Sequence, residues 1–226
     1  MNKERLIKSL TDKLNEGRQY RNIDVSGFER RTEEDGEKAV SGYATTFNQP
    51  YELFRYSWDG YRVIVLEQVD ADAFAETPLT DVIMQYDHEG RVFARTTNGT
   101  LELDPDEHGL HIRANLGGTE LGRQLFEEIE GGYTTKMSFG FRVGKDKEDR
   151  TEERDEETGI TTVTVLRTIL KISHLYDVSA VSLPANDATS ISARSYCDGV
   201  IAELTEEFRK REDQRRRLRI KSKMED

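Results

Sequence analysis

The sequence predicts a β-rich α+β fold: a mostly antiparallel closed barrel flanked by helices, with polar helical arms at both ends. Three observations carry this expectation. Short apolar runs with strand-like alternation, separated by turn residues, recur between residues 39 and 183. One strongly amphipathic helical stretch interrupts them. Both ends of the chain are charge-rich and poor in core-forming residues.

Taken in order, residues 1–38 read as an N-terminal arm. Leu6, Ile7, Leu10 and Leu14 stand at helical spacing among charges, so the arm opens on a short amphipathic helix reaching about residue 22. The principal domain spans 39–195. Val40–Phe47, Arg62–Val69, Val82–Tyr86, Arg91–Arg95, Thr100–Leu103, Leu110–Asn115 and Lys136–Val143 read as strands. Asn98-Gly99 signals a hairpin between two of them, and Asp104 to Gly109 a longer turn between the next two. Thr119 can cap a helix whose apolar stripe is Leu121, Leu125, Phe126 and Ile129, and Gly131-Gly132 ends it. The acidic run 146–159 has almost no apolar residue and reads as a mobile loop. Strand character resumes at Thr161–Thr164, Ile169–Ile172 and Leu175–Leu183. Residues 196–226 form a basic helical tail.

The bulk composition narrows the function classes. Apolar residues make up 35% of the chain and charged residues 34%, which predicts a modest core with highly solvated segments. The net charge of −11 argues against a surface that binds nucleic acid as a whole. The charge is uneven: Arg209 to Lys223 carries a net +7, which leaves −18 for the rest. That segment lacks interleaved aromatics, so a solvated helix or a docking arm for an acidic partner is expected rather than a nucleic-acid contact. Cys197 is the only cysteine, which excludes an intrachain disulfide and points to a reducing compartment. No signal-like or membrane-length apolar run occurs, so no membrane partner is expected.

The chemistry-bearing candidates centre on Lys136-Met137-Ser138-Phe139-Gly140-Phe141. Met137, Phe139, Phe141 and Val143 alternate onto one buried face, so Ser138, Gly140 and Arg142 point the other way. A serine beside a glycine on an anchored strand suits a nucleophile that substrate approaches closely. It needs a base and a group that orients the base. His88 ends the apolar run Val82 to Tyr86, where a buried strand emerges, and is the best-placed histidine; an ordinary loop histidine is the alternative. The third member is Asp177 or His174. Three positions apart on a regular strand, they face opposite sides. A carboxylate in the apolar setting of Asp177 needs a partner or an exposed edge. His108, His111 and Asp106 cluster too tightly in one turn to make a convincing metal site. No P-loop, dinucleotide fingerprint, CxxC pair, HExxH or G-x-S-x-G elbow is present, so neither metal nor cofactor is expected.

These residues also occur in an order that resembles a known family, the prohead maturation serine proteases of tailed bacteriophages, which are distantly similar to the herpesvirus assemblin proteases. The landmarks are Gly42 to Asn48, Glu67 to Phe74, Asp87-His88, Asn98 to Leu101, His108-Gly109-Leu110, Leu121 to Gly132 leading into Met137 to Phe141, and Asp177-Val178-Ser179 with Pro184-Ala185-Asn186. They span roughly Ser41 to Ser192. Asp87 and Glu89 depart from the family's usual N-H-D flanks. The resemblance implies a herpesvirus-protease-like barrel with His88 as base, Ser138 as nucleophile and Asp177 as orienting acid, although the herpesvirus relatives use a second histidine in the third role. It implies cleavage of the scaffold and major capsid protein inside the immature prohead, in the host cytoplasm, followed by self-digestion. The herpesvirus relatives add a homodimer to these expectations. A non-catalytic assembly protein of the same fold is the alternative.

Overall fold

Period-two alternation sets most of the architecture. The computed structural model describes residues 17–23, 29–32, 38–58 and 60–182. Among them it places strands β1 (Gln19–Ile23), β2 (Glu29–Thr32), β3 (Lys38–Thr46), β4 (Tyr51–Trp58), β5 (Tyr61–Val69), β6 (Ile83–Tyr86), β7 (Glu89–Arg95), β8 (Leu101–Pro105), β9 (Gly109–Asn115), β10 (Lys136–Arg154) and β11 (Thr161–Val181). Helix α1 (Glu120–Glu130) lies between β9 and β10. Of the helix expected over residues 1 to about 22, the part over 1–16 lies outside the described residues, as does the tail over 196–226, while Gln19–Ile23 is strand β1 rather than helix because it pairs with β10.

Seven strands make one sheet, ordered β1-β10-β11-β5-β4, with β6 and β7 attached through β11. Its spine is the β10–β11 antiparallel pair. Along its other edge β11 takes two parallel partners in succession: β5 at Thr161–Ile169 and β6 at Asp177–Ala180. The second sheet is antiparallel, ordered β2-β3-β9-β8. Met137, Phe139 and Phe141 of β10, with Ile172 and Val178 of β11, share one core with Val40 and Ala44 of β3, Ile112 of β9 and Leu101 of β8. Phe139 and Phe141 stack at 4.4 Å and are fully buried, each contributing roughly 2–3 kcal/mol by leaving water. Thr119 caps α1 by accepting from the Gly122 N–H, and the helix presents Leu125, Phe126 and Ile129 to the same core.

Five expectations are corrected. The barrel is not closed: both sheets are open, and a single bridge between Phe47 and Val69 is the backbone link where a barrel would need a ladder. The two parallel pairings also make the larger sheet mixed rather than antiparallel. The acidic run from Asp146 is not a loop up to Arg154. It pairs with β11, whose alternating Val163 and Val165 supply the burial that the acidic strand lacks. Asn98-Gly99 is a turn, with Gly99 at φ 73°, but it joins β7 of one sheet to β8 of the other rather than two hairpin partners. Leu121, counted in the helical stripe, is exposed.

The β5–β11 register also creates a buried ion cluster. Glu67 and Arg167 are direct partners on neighbouring strands, and neither has any exposed surface. Glu67 Oε1 accepts from Arg21 Nε at 2.6 Å and from the Tyr51 hydroxyl at 2.5 Å. Glu67 Oε2 accepts from Arg21 Nη2 at 3.2 Å and from Arg167, whose Nε also reaches Asp146 at 2.7 Å. Burial alone would raise the Glu67 carboxyl, yet the two guanidinium groups hold it below the ordinary range. A depressed carboxyl stabilises the fold above its unfolded value and loses that contribution as pH falls through its folded value. Urea unfolding should therefore be level near neutrality and weaken below about pH 4. At neutral pH, Glu67→Gln should cost about 3 kcal/mol in the same assay, because it leaves buried guanidinium charge short of its carboxylate.

Candidate active site

The site stands where the C-terminal half of β11 meets β10 and β6. Ser138 is opposite Ser179 and Gly140 opposite Asp177 in the β10–β11 ladder, while Asp177 pairs with Ile83 on its other side. Since Met137, Phe139 and Phe141 take the core face, Ser138 and Gly140 take the opposite one, as the alternation requires. His88 comes from the two-residue turn between β6 and β7. Tyr86 pairs with Glu89, and both Asp87 (φ 49°) and His88 (φ 61°) are left-handed, the pattern of a type I′ hairpin. Asp and His tolerate that region only at some cost, and side-chain bonds offset it. Asp87 Oδ1 and Oδ2 accept from the Ser182 N–H and hydroxyl at 2.9 and 2.8 Å, and the Asp87 N–H donates to the Ala180 carbonyl. This accounts for an acidic residue before the histidine: Asp87 ties the turn to the end of β11.

The three side chains singled out from the sequence meet in one line. His88 Nε2 lies 2.5 Å from Ser138 Oγ, and His88 Nδ1 lies 2.5 Å from Asp177 Oδ2. With the imidazole proton on Nδ1, Asp177 accepts it and Nε2 is left to receive the serine proton. Asp177 has no exposed surface, and its Oδ2 also accepts from the Ser179 hydroxyl at 2.7 Å, while Oδ1 pairs with Arg18. Burial pushes this carboxyl up, but His88, Ser179 and Arg18 together hold it below the usual carboxylate range. It is a carboxylate at any pH near neutrality.

His174 is not in this line. It is exposed, opposite Arg142, and packs its ring against Tyr176 at 4.3 Å. The regular alternation that would set it apart from Asp177 is interrupted in β11. Gly140 pairs with Asp177 and Phe141 with Leu175, so Tyr176 is a bulge that resets the period. Leu175 and Val178 both face the core, and His174 and Asp177 therefore both face away from it. Asp106 serves its own turn: it accepts from the N–H groups of His108 and Gly109 and from the Tyr43 hydroxyl. Among the described residues no cluster of three or more potential metal ligands occurs, and no helix is long and apolar enough to cross a membrane. Cys197 lies outside them.

Gly140 has a steric role that alternation alone does not reveal. A Cβ there would overlap Asp177 Oδ1 and come within 3.0 Å of the Tyr20 ring. Gly140→Ala should therefore displace the carboxylate and lower any turnover that depends on it about 100-fold, read as kcat/KM on a peptide, with the fold retained by circular dichroism.

Arg18, Tyr20 and Arg21 join the site although residues 1–38 read from sequence as an arm. Arg21↔Phe139 and Asn22↔Ser138 are ladder partners in the β1–β10 pair. Tyr20 tilts over His88 at 4.3 Å, and the Arg21 carbonyl accepts from Ser138 Oγ at 3.0 Å. Glu67 and Arg167 did carry a signal: each breaks an apolar alternation (Val63, Val65, Glu67, Val69 and Val163, Val165, Arg167, Ile169) at the same step.

Comparison with known proteins gives one family. Residues 26–200 match the model of the caudovirus prohead serine protease. No curated protein and no solved structure matches the chain.

Proposed function

The chain belongs to the caudovirus prohead serine protease family, and from that membership we propose that Ser138 is the nucleophile, His88 the general base and Asp177 the orienting acid of an endopeptidase that cleaves scaffold and major capsid protein inside the assembling prohead, and itself. The observation that carries this reading is the unbroken contact line from Ser138 Oγ through both ring nitrogens of His88 to a buried carboxylate. Three groups of these types, drawn from β10, a hairpin turn and β11, have the geometry of acyl transfer.

In the proposed reaction Ser138 Oγ attacks a scissile carbonyl carbon as His88 Nε2 takes its proton. The imidazolium that forms is stabilised by Asp177 across Nδ1–H. His88 then gives the proton to the leaving amine, and the acyl-enzyme is hydrolysed by a water that His88 deprotonates. Because Asp177 stays ionised and is fixed by Ser179 and Arg18, the imidazole keeps its tautomer and orientation between the two half-reactions.

The test is covalent labelling of purified protein with a fluorophosphonate, run beside cleavage of scaffold and capsid-protein peptides. Labelling that requires Ser138, accompanied by peptide cleavage, is the expected result. No labelling and no cleavage under assembled conditions would leave a non-catalytic assembly protein of the same fold. Ester turnover without cleavage of any polypeptide would make it a hydrolase of another class.

A further inference from the structure

Ser138 and Asp177 have no exposed surface, and segment 18–22 lies against both: Arg18 pairs with Asp177, and the Arg21 carbonyl accepts from Ser138. That segment has the attributes of a bound peptide. It is extended and antiparallel to the nucleophile strand, with Gln19, Tyr20 and Arg21 opposite Phe141, Gly140 and Phe139 and with Asn22 opposite Ser138 itself. Its Arg21 carbonyl is the backbone group that bonds to the nucleophile, at 3.0 Å. Its Arg21 side chain is 7% exposed and lays its guanidinium against Glu67. It lies ahead of the region, residues 26–200, that matches the family.

We infer that β1 is a substrate-like strand held in cis, that the Arg21–Asn22 bond is the site of self-cleavage, and that Glu67 selects a basic side chain on the amino-terminal side of the scissile bond. This rests on the peptidase reading of Ser138. The chemistry at Glu67 follows from the donors and acceptors present. Arg167 bridges Glu67 and Asp146, and Arg21 is bidentate on Glu67. With Arg21 gone, the buried Glu67 carboxylate loses its bidentate partner, and the position opposite Phe139 favours a lysine or arginine over an apolar or acidic side chain.

The present pose is latent. Ser138 has one hydroxyl proton and two acceptors, His88 Nε2 and the Arg21 carbonyl, and that carbonyl presents its oxygen to Oγ. Rotation of the Arg21–Asn22 peptide brings the carbonyl carbon before Oγ instead. Attack then forms the ester of Ser138 with the Arg21 carbonyl as the C–N bond to Asn22 breaks, the proton passing through His88 to the Asn22 nitrogen. Water hydrolyses the ester, releasing residues 1–21 with a terminal carboxylate and leaving residues 22–226 with a free amine on Asn22. The departing strand carries Arg18 off Asp177 and Tyr20 off His88, which opens the site to other chains.

Intact-mass and N-terminal analysis of the full chain tests this, together with peptides carrying Arg, Lys, Leu or Glu before the scissile bond. Expected are fragments 1–21 and 22–226 from wild type and from Arg21→Lys, and none from Ser138→Ala or Arg21→Glu. The first-order rate should be independent of protein concentration, as an intramolecular step requires. On peptides, kcat/KM for Arg and Lys should exceed that for Leu and Glu by roughly 100-fold. If the protein labels with fluorophosphonate and cleaves peptides, yet never cuts after Arg21 and shows no basic preference, the inference falls while the peptidase reading stands. If it neither labels nor cleaves, both fall.

Discussion

Ser138→Ala should lower cleavage of a scaffold or capsid-protein peptide by about 10⁶-fold in kcat, to the level set by binding and dipoles alone. The size of the effect follows from the proposed chemistry: among the described residues no other hydroxyl bonds His88, so the covalent step has no substitute. The fold should survive. The hydroxyl is buried, but what is lost is its contact with His88 and with the Arg21 carbonyl, worth on the order of 1 kcal/mol each. A thermal midpoint within a few degrees of wild type, beside the collapse in kcat, separates chemistry from folding. Turnover that persists at the wild-type rate would remove Ser138 from the mechanism.

Asp177→Asn ranks second, at about 10⁴-fold in kcat. The amide is nearly isosteric, so the geometry stays, but its NH₂ can donate to Nδ1 where the carboxylate could only accept. That favours the tautomer with its proton on Nε2, which cannot take the serine proton. The substitution also weakens the bonds to Ser179 and Arg18 that hold the group. His174→Ala is the matched control: its ring is exposed against Tyr176, and kcat should stay within about twofold of wild type. The reverse outcome, loss on replacing His174 and retention on replacing Asp177, would transfer the third role to the histidine. Measuring kcat for both variants against one peptide decides between them.

These residues also show where sequence reasoning reaches and where it stops. Ser138 was legible because Met137, Phe139 and Phe141 fix its direction, and a buried face determines register in a way that a polar strand does not. His88 was legible as the end of an apolar run. The assignment of Asp177 over His174 came from resemblance. Alternation pointed to a choice of faces that the Tyr176 bulge abolishes, and a bulge leaves no mark in a period count. The barrel failed for a related reason: alternation shows that strands have an inner face, and the closure of a sheet depends on pairings between distant segments. The strand at 146–154 is hidden because its own residues are exposed and only its pairing with β11 makes it a strand. The contribution of segment 18–23 was hidden by composition, since a charged stretch reads as solvated until its partners, Glu67 and Asp177, are known.

Among the described residues, β1 is the last strand on its side of the seven-stranded sheet. Whatever takes it away turns β10 from Met137 to Phe141 into a bare rim with backbone donors and acceptors facing outward. Such a rim binds by shape: any unfolded or extended stretch of chain can be zipped on through its main chain, and side chains only vote on the register. It is equally ready to seize the same rim of a second copy, which would make sticky aggregates of any molecule opened too early. On the proposed reading, a strap kept over that rim until the protein is enclosed with its targets would confine both the proteolysis and the stickiness to one compartment. It also makes the strap a simple place to engineer: a β1 that cannot be cut should yield a protein that stores well and stays silent.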